Sequence, residues 1–405
     1  MEQVLYQLPD GWEWQQLADV VDKTENLNPL KDSDQLWTYI DISSVDRNRF
    51  VVTDPKKILG KDAPSRAKKH VQLNDVIFAM TRPNLKNIAL VRDEYSSPVA
   101  STGFCVLRAN KKVLPAYLFY FVTTDFVQAQ IEPYVGGASY PAITDGNLKK
   151  APIPIPSIEE QKRIVEKLDA LLTRIDTAIE HLQESVTLKN ILLQSALDGQ
   201  FSAITDRMTI ESLVEVKGGK RLPKGEKLSD EEAEHPYIRV ADFTDKGTID
   251  LSGIKYISKE IHEQIKRYVI SKDDLYISIA GTIGKTGFVP PELDGANLTE
   301  NAAKLVIKDK KQLDLSYLYL FTLTSDFSAQ AGLATKTVAQ PKLALTRLSK
   351  IEIPMCSLEQ QKALVSKIEA LKGKIHDAEA VLLGKIEDLK NLKASILDSA
   401  FKGEL

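Results

Sequence analysis

The sequence predicts an α+β protein: two pseudo-repeated, mainly β domains, each followed by a long α-helix, with the two helices forming an antiparallel coiled coil. The first observation is an internal repeat. The segment IPIPSIEEQKRIVEKLDAL at 153–171 aligns without a gap with IPMCSLEQQKALVSKIEAL at 353–371. The second is that each of these segments opens a run of about 40 residues without proline. The third is that short β-type runs bounded by turn residues precede each copy.

The repeat extends beyond this segment. The further matches are Tyr39-Ile40 with Tyr237-Ile238, Asp75 with Asp274, Tyr117-Leu118 with Tyr317-Leu318, and Asp125-Phe126 with Asp326-Phe327. We therefore divide the chain into a globular domain at 1–156, a helix at 157–200, a second globular domain at 201–356 and a C-terminal helix at 357–405.

Each globular domain is predicted to be mainly β because its apolar runs are short and rich in β-branched and aromatic residues. The predicted strands are 36–42, 75–80, 87–91 and 104–109 in the first copy, and 236–243, 254–258, 274–280 and 303–307 in the second. One short helix is expected at 115–129 and another at 314–331. We assign Trp12, Trp14 and Trp37 to packing.

Each long helix has a recognisable start and stop. A proline-limited stretch precedes Ser157-x-x-Glu160 in the first copy and Ser357-x-x-Gln360 in the second, and both patterns predict a capping box. Gly199 and Gly403 are the expected C′ glycines that end the two helices.

Apolar residues recur along both helices at steps of three and four, which is a heptad seam. The seam residues are Val165, Leu168, Leu172, Ile175, Ile179, Leu182 and Val186 in the first helix, and Ile368, Leu371, Ile375, Leu382, Ile386 and Leu389 in the second. A twofold-related pair of copies predicts antiparallel helices with the globular parts at opposite ends of a rod. Matching Gly199 to Gly403 also predicts four extra residues in the second helix, between 183 and 191 in first-copy numbering.

The composition excludes several classes. The 405 residues include only two cysteines, Cys105 and Cys356, which are too few for a disulfide framework and lack the spacing of a zinc site. No apolar run is long enough to span a membrane, and the N-terminus lacks the pattern of a signal peptide, so a cytoplasmic protein is expected. The net charge of −3 argues against a strongly DNA-binding chain, since such domains are usually basic.

Basic and amide side chains nevertheless cluster in loops of both copies. Arg, Lys and Asn can contact base edges in the major groove, whereas Lys, Ser and Thr suit phosphates. In the first domain the candidate DNA-binding residues are Ser65, Arg66, Lys68, Lys69, Arg82, Asn84, Lys86 and Asn87. In the second they are Lys220, Arg221, Lys224, Arg239, Thr282, Lys285, Thr286, Asn297, Thr299, Asn301 and Lys304.

The sequence contains no complete catalytic motif of the kinds considered below. GTIGKTG lacks the glycine that a Walker A loop needs five positions before Gly284, since position 279 is Ile. There is no NPPY- or DPPY-like tetrapeptide for amino-methylation, and the five histidines form no metal pair. We therefore predict no catalytic residue and no metal or cofactor site in this chain.

Taken together, the tandem domains and the IPxP-S-x-x-E/Q-Q-K helix openings resemble the specificity subunit of type I restriction–modification systems. The loop segments SRAKKH…DVIFAMTRPNLKNIALV and DLYISIAGTIGKTG…NLTENAAK are similar to parts of target-recognition domains in that family. The resemblance implies a non-catalytic subunit that recognises a split, asymmetric double-stranded DNA target, one half per domain. It also implies two modification subunits that carry S-adenosylmethionine and methylate adenine, and restriction subunits that use ATP and Mg.

The alternative is a coiled-coil scaffold that joins two protein partners without contacting DNA. A scaffold has no need for Arg, Lys and Asn on equivalent loops of both copies, and this difference favours DNA recognition. Because the recognition domains are close to neutral, we expect the isolated chain to bind DNA weakly, with partner subunits supplying much of the phosphate attraction.

Overall fold

The structure, a computed structural model, describes residues 5–137, 139–332 and 342–405. It divides into two compact units, and each unit combines one β domain with parts of both long helices. The first unit contains Met1–Gln183 and Leu383–Leu405, and the second contains Glu184–Leu382. The predicted α+β class with a long helix after each β region is confirmed.

The first β domain is built from twelve strands and four short helices among its described residues. The strands are β1 Glu13–Gln16, β2 Val21–Asp22, β3 Leu36–Ile40, β4 Val45–Asp46, β5 Val51–Val52, β6 Lys56–Leu59, β7 Ala67–His70, β8 Val76–Ala79, β9 Ile88–Leu90, β10 Pro98–Ser101, β11 Phe104–Ala109 and β12 Pro152–Ile155. The helices are α1 Leu17–Val20, α2 Pro115–Val122, α3 Asp125–Ile131 and α4 Asp145–Leu148.

Two four-stranded sheets form the centre of this domain, in the orders β6-β3-β10-β7 and β2-β11-β8-β9. All pairings in them are antiparallel except β3 with β10, which run parallel with Tyr39 opposite Val99. The core between the second sheet and helix α2 is apolar and includes Phe78, Leu107 and Phe121, all fully buried.

The first long helix, α5 Ile158–Ser202, joins the two β domains in the sequence. The strands of the second domain are β13 Arg207–Thr209, β14 Val214–Gly218, β15 His235–Ile238, β16 Lys255–Ile257, β17 Leu275–Ser278, β18 Thr286–Phe288, β19 Asn297–Leu298, β20 Ala302–Ile307 and β21 Glu352–Pro354. Its helices are α6 Ile210–Leu213, α7 Lys259–Ile265, α8 Leu315–Thr322, α9 Ser325–Ala331 and α10 Leu345–Ser349, and the chain closes with α11 Leu358–Lys402.

The second domain follows the same plan. One sheet has the order β14-β20-β17-β18 and the other β16-β15-β19, in which β15 and β19 are parallel with Tyr237 opposite Asn297. Tyr39 and Tyr237 therefore occupy equivalent positions beside the parallel pair of each domain. This equivalence explains why the sequence repeats Tyr-Ile at both places.

The expected helices at 115–129 and 314–331 are each split in two by a threonine. The Thr124 hydroxyl donates to the carbonyl of Phe121 and accepts from the amide of Val127, and Thr324 makes the same pair of contacts with Phe321 and Phe327. Each threonine therefore caps a new helix where an uninterrupted one was predicted.

A buried glutamine joins each β domain to the start of its long helix. Gln161 is fully buried, accepts a hydrogen bond from the amide of Leu114 and donates to the carbonyls of Lys112 and Pro156. Gln361 is equally buried and makes the same three bonds, with Asp314, Gln312 and Cys356. We call these two arrangements the glutamine joints.

The two helices pack antiparallel within each unit. In the first unit Arg163 donates to the carbonyl of Leu405, and Asp176 pairs with Lys393. Residues later in α5 therefore contact residues earlier in the C-terminal segment, as in an antiparallel pair. In the second unit Lys189 pairs with Glu379, and Gln200 accepts from Lys367. Every predicted seam residue is buried or half-buried.

Helix ends correct one prediction and confirm another. Gly403 has a φ of +77° and follows the last turn of α11, as expected for a C′ glycine. Gly199 instead lies inside α5, because the helix continues to bring Phe201 into the second unit, where it packs on Tyr317 and Phe321.

The predicted four-residue insertion is therefore wrong. Both long helices contain 45 residues, and Phe401 packs on Tyr117 and Phe121 as Phe201 packs on the equivalent pair. The matching residues are Leu197-Asp198 with Leu397-Asp398 and Phe201 with Phe401, at the same shift as the helix starts. The predicted insertion came from aligning Gly199 with Gly403, which are not equivalent residues.

Candidate nucleic-acid interface

Two loops that contain predicted residues of the first domain, the loop before β7 and the loop after β8, are bonded to the turn that follows β10. Arg66 is exposed, its Nε donates to the Tyr39 hydroxyl at 3.2 Å, and its carbonyl accepts from the amide of Thr102 at 2.8 Å. The next residue of that turn, Gly103, accepts from the amide of Met80, at the end of strand β8. The loop before β7 and the loop after β8 are therefore held side by side, and we call this region the first edge.

Arg82 lies in the loop from β8 to β9 and has an unusual backbone. Its φ of +50° and ψ of +57° place it in the left-handed region, immediately before Pro83. Such a conformation costs a non-glycine residue about 1–3 kcal/mol and persists only when surrounding contacts enforce it. A hydrogen bond of 2.6 Å from the Arg82 amide to the carbonyl of Pro141 is one such contact.

The other predicted residues of the first edge fall into two groups. Ser65, Lys68 and Asn84 are exposed. Lys69 and Lys86 are half-buried and already paired, Lys69 with Asp145 and Lys86 with Asp125 and the carbonyl of Thr123, and Asn87 is half-buried in the ladder beside β9. Exposure thus favours Arg66, Lys68 and Arg82 as the cations available to a ligand.

The second domain builds its edge from a different loop over the equivalent tyrosine. The Tyr237 hydroxyl donates to the carbonyl of Lys220 at 2.7 Å, while the Lys220 amide donates to the carbonyl of Leu298 at 2.8 Å. Burial raises the pKa of Tyr237, so its hydroxyl stays protonated for this bond. Lys220, Arg221 and Lys224 are exposed along the loop that follows β14, and we call this region the second edge.

Arg221 differs from the exposed arginines of the first edge because a carboxylate holds it. Its Nε lies 2.6 Å from Glu300, and the Arg221 side chain remains 79% exposed. Partial burial acts to raise the pKa of Glu300, but hydrogen bonds from Arg221, the backbone and Thr299 outweigh burial and lower that pKa. Glu300 therefore stays charged beside the exposed Arg221 guanidinium.

The GTIGKTG segment is the turn of a β-hairpin between β17 and β18. Gly281 and Gly284 adopt φ values of +78° and +90°, and the amide of Lys285 donates to the Ser278 hydroxyl. Thr282 is exposed at the tip, whereas the Lys285 ammonium pairs with Asp245 at 2.7 Å. The glycines thus serve a tight turn, in agreement with the failed Walker A match.

Several predicted residues of the second domain serve its interior. Asn297 is fully buried and bonds to His262 and the carbonyl of Ile265, and Thr286 and Thr299 are also buried. Arg239 is held by Asp242 and the carbonyl of Gly253. Lys304 pairs with Asp274, and Asn301 accepts from the amide of Ile279 through its carbonyl. The prediction that Asn297, Thr286 and Thr299 bind DNA is therefore wrong, because it rested on polar residue type alone and these three side chains are buried.

Two residues near the edges were not among the predictions. Tyr140 is 71% exposed and lies beneath the Arg82 guanidinium, whose carbon is 5.3 Å from the ring centroid. Glu300 neutralises Arg221 and is acidic, whereas all of the predicted DNA-binding residues are cationic, amide or hydroxyl residues. A Gly-Gly turn followed by Tyr-Pro was the available signal for Tyr140.

Two features are absent from the described residues. Within 5–137, 139–332 and 342–405, no group of three or more His, Cys, Asp or Glu residues is arranged to hold a metal ion. In the same residues, no helix combines the length and the apolar character needed to cross a bilayer.

Two β domains of one plan, each with basic loops at the end of a parallel strand pair and each followed by a long helix, define a tandem recognition protein. The family model for the type I restriction modification DNA specificity domain matches residues 9–189 and 205–387. The chain belongs to this family and contains two copies of its domain. The comparisons give no support to the scaffold alternative.

Individual relatives agree over nearly the whole chain. The StySPI specificity subunit of Salmonella potsdam is 24% identical over 98% of this chain and 90% of the relative. A solved HsdS subunit from Thermoanaerobacter tengcongensis is 30% identical over the full length of both chains, with a TM-score of 0.60. A chain from a structure of type I R-M complex assembly and conformational transition is also 30% identical, covers 99% of this chain and 100% of its own length, and has a TM-score of 0.79.

Proposed function

We propose that this protein is the DNA-sequence specificity subunit of a type I restriction–modification complex and reads a split target, one half per domain. The observation that carries the proposal is the equivalent tyrosine beneath an exposed basic loop in both domains. In each domain, exposed cations are presented by a loop bonded to the equivalent tyrosine, Tyr39 or Tyr237. Different loop sequences on one framework suit two different half-sites.

Exposure of the side chains decides which predicted residues we assign to DNA. Arg66, Lys68 and Arg82 in the first domain, and Lys220, Arg221 and Lys224 in the second, are the residues we assign to DNA. Arginine can bond two acceptors of guanine, and lysine neutralises phosphate. We leave Thr286, Asn297 and Thr299 out of the interface because they are buried.

Modification subunits are the proposed partners of the long helices. Large apolar side chains remain exposed along both helices, where they are available to the apolar surface of a partner. They are Leu171, Leu383 and Leu392 in the first unit, and Leu188, Ile191, Leu192 and Val381 in the second. Adenine methylation would then use S-adenosylmethionine in those subunits, and cleavage would use ATP and Mg in restriction subunits.

The test begins with the methylated adenines of the host genome, mapped with and without this gene, because they define the target. A gel shift of the target duplex with the chain and its modification subunit then compares Arg82→Ala with Lys285→Ala. We expect Arg82→Ala to weaken binding about 10- to 100-fold, since one base-contacting arginine contributes about 1–3 kcal/mol. Lys285→Ala should weaken it less, because Asp245 already neutralises that ammonium.

Two results would contradict the proposal. One is an unchanged methylation pattern after deletion of the gene, and the other is equal affinity of the wild-type complex for target and scrambled duplexes. The isolated chain should bind either duplex weakly, because its net charge is −3 and non-specific affinity grows with the number of phosphates neutralised.

A further inference from the structure

A tight turn presents Tyr140 beside the first edge. Gly136 and Ala142 exchange two backbone hydrogen bonds of 2.9 and 2.8 Å across this turn. Gly137 has a φ of +99°, and a Cβ there would lie 2.8 Å from the carbonyl oxygen of Tyr140, so glycine is required. The turn exposes most of the Tyr140 side chain to solvent.

The same turn is bonded to the segment that contains Arg82. Ile143 donates its amide to the carbonyl of Met80 at 2.9 Å, and Arg82 donates its own to the carbonyl of Pro141 at 2.6 Å. These two hydrogen bonds hold the Tyr140 turn against the Arg82 loop. They also account for the left-handed backbone at Arg82, which directs its side chain over the Tyr140 ring.

The Arg82 guanidinium is available for further bonding. Among the residues that the structure describes, none forms an ion pair or a hydrogen bond with this guanidinium, which lies over the ring of Tyr140. A guanidinium that lies on an aromatic face keeps its N–H groups in the plane free, and the ring restricts its rotation. The edge of guanine offers two acceptors, O6 and N7, to such a donor pair.

We propose that Tyr140 is a positioning residue that holds Arg82 in the plane needed to bond guanine in the first half of the target. This inference rests on the proposed function. Tyr140 acts through Arg82 and needs no contact of its own with DNA. The aromatic face, rather than the hydroxyl, supplies the effect, so phenylalanine should replace it.

A second tyrosine of the same domain provides a matched control. Tyr134 is 47% exposed and has the Lys150 ammonium 5.5 Å from its ring centroid. Lys150 is not among the residues assigned to DNA. Tyr134→Leu therefore removes the same kind of contact from the same domain without touching Arg82.

The experiment uses the full chain with its modification subunit and a fluorescent duplex that carries the mapped target. Equilibrium titrations at fixed salt compare Tyr140→Phe, Tyr140→Leu, Arg82→Ala, the Tyr140→Leu/Arg82→Ala double variant and Tyr134→Leu. We expect Tyr140→Phe and Tyr134→Leu to bind within about twofold of wild type. Tyr140→Leu should bind about 3- to 30-fold more weakly, the range of a cation–π contact, and the double variant should match Arg82→Ala.

A duplex with 7-deazaguanine at single positions tests the base contact directly. Loss of N7 at one guanine of the first half-site should weaken the wild-type complex and leave Arg82→Ala unaffected, with a reduced effect in Tyr140→Leu. Thermal unfolding of each variant should stay close to wild type, since Tyr140 is exposed.

Wild-type affinity in Tyr140→Leu together with weakened binding in Arg82→Ala would overturn the inference and leave the proposed function intact. Additive losses in the double variant would also overturn it, because Tyr140 would then contact DNA independently. Equal binding of target and scrambled duplexes by the wild-type complex would instead defeat the proposed function itself.

Discussion

The glutamine joints are nearly identical in the two units, whereas the recognition edges are not. Gln161 and Gln361 make the same three hydrogen bonds, at distances of 2.8–3.1 Å in one unit and 2.9–3.0 Å in the other. At the edges, by contrast, Tyr39 contacts an arginine side chain and Tyr237 contacts a backbone carbonyl. The joint fixes the domain on its helix, and the edge is free to vary on that fixed base.

The difference shows which contacts a repeated protein must keep. A buried glutamine with three partners tolerates no change, because each lost bond leaves a buried polar group unsatisfied. An exposed loop carries no such cost, so Arg66 in one unit can be replaced by the unrelated Lys220 loop in the other. We therefore expect substitutions at equivalent joint positions to have equal effects, and substitutions at the edges to have unequal ones.

The largest expected effect is loss of a terminal helix aromatic. Phe201 and Phe401 are almost fully buried, and Phe→Ala in a core costs about 3–5 kcal/mol in the free energy of unfolding. Phe401→Ala should destabilise the first unit and Phe201→Ala the second, although each residue follows the other β domain in sequence. Hydrogen exchange should rise around Tyr117 in one variant and around Tyr317 in the other.

Ile191→Ala is the control for this pair because Ile191 is 62% exposed in the same helix as Phe201. It should leave exchange in both units unchanged. Faster exchange around Tyr117 in Phe201→Ala would mean that stability is not divided between the units as their contacts indicate.

Removal of the glutamine joint should have the next largest effect. Gln161→Leu and Gln361→Leu each leave two carbonyls and one amide buried without their partner, and we expect about 2–4 kcal/mol of destabilisation in the corresponding unit. The exposed neighbour Lys162→Ala should cost less than about 0.5 kcal/mol. Protection from hydrogen exchange around Leu114 and Asp314 measures the two effects, and a difference of several kcal/mol between them would refute the equivalence of the joints.

Much of this framework could be predicted from sequence because it repeats. The helix starts, the seam and most strands follow from local patterns that appear twice, so each copy supports the other. The end of α5 could not be predicted in this way, since burial of Phe201 against Tyr317 overrides the glycine stop at Gly199. Tertiary packing decided that boundary.

The edges were less predictable for a related reason. Residue type suggested Asn297 and Lys285 as DNA contacts, but their pairing with His262, in helix α7, and with Asp245, in a turn, depends on segments distant in sequence. Tyr140 and Glu300 were missed because their importance comes from a neighbour, Arg82 or Arg221. A loop motif identifies a candidate cation without indicating whether a carboxylate or a ring lies beside it.

A smaller effect should distinguish the edges. Glu300→Gln removes the carboxylate that pairs with Arg221, so the complex should bind duplex DNA about 2- to 10-fold more tightly at low salt, the change expected for about one phosphate contact. The affinity should also fall more steeply with salt. Glu292→Gln makes the same change in charge on an exposed turn before β19 and should leave the salt dependence as it is. Weaker binding in Glu300→Gln would indicate that Glu300 itself accepts a hydrogen bond from DNA.

The smallest expected effect concerns the ion pairs between the helices. Lys393 with Asp176 in the first unit, and Lys189 with Glu379 in the second, are partly exposed, and such pairs typically contribute about 0.2–1 kcal/mol. Lys393→Ala and Lys189→Ala should therefore lower the unfolding free energy of their units slightly and by similar amounts. High salt should remove most of the difference from wild type, because it screens the pair but not the apolar seam. A loss that persists in high salt would assign the effect to a contact other than the ion pair, such as that of the Lys393 ammonium, which lies 6.0 Å from the centroid of the Phe50 ring.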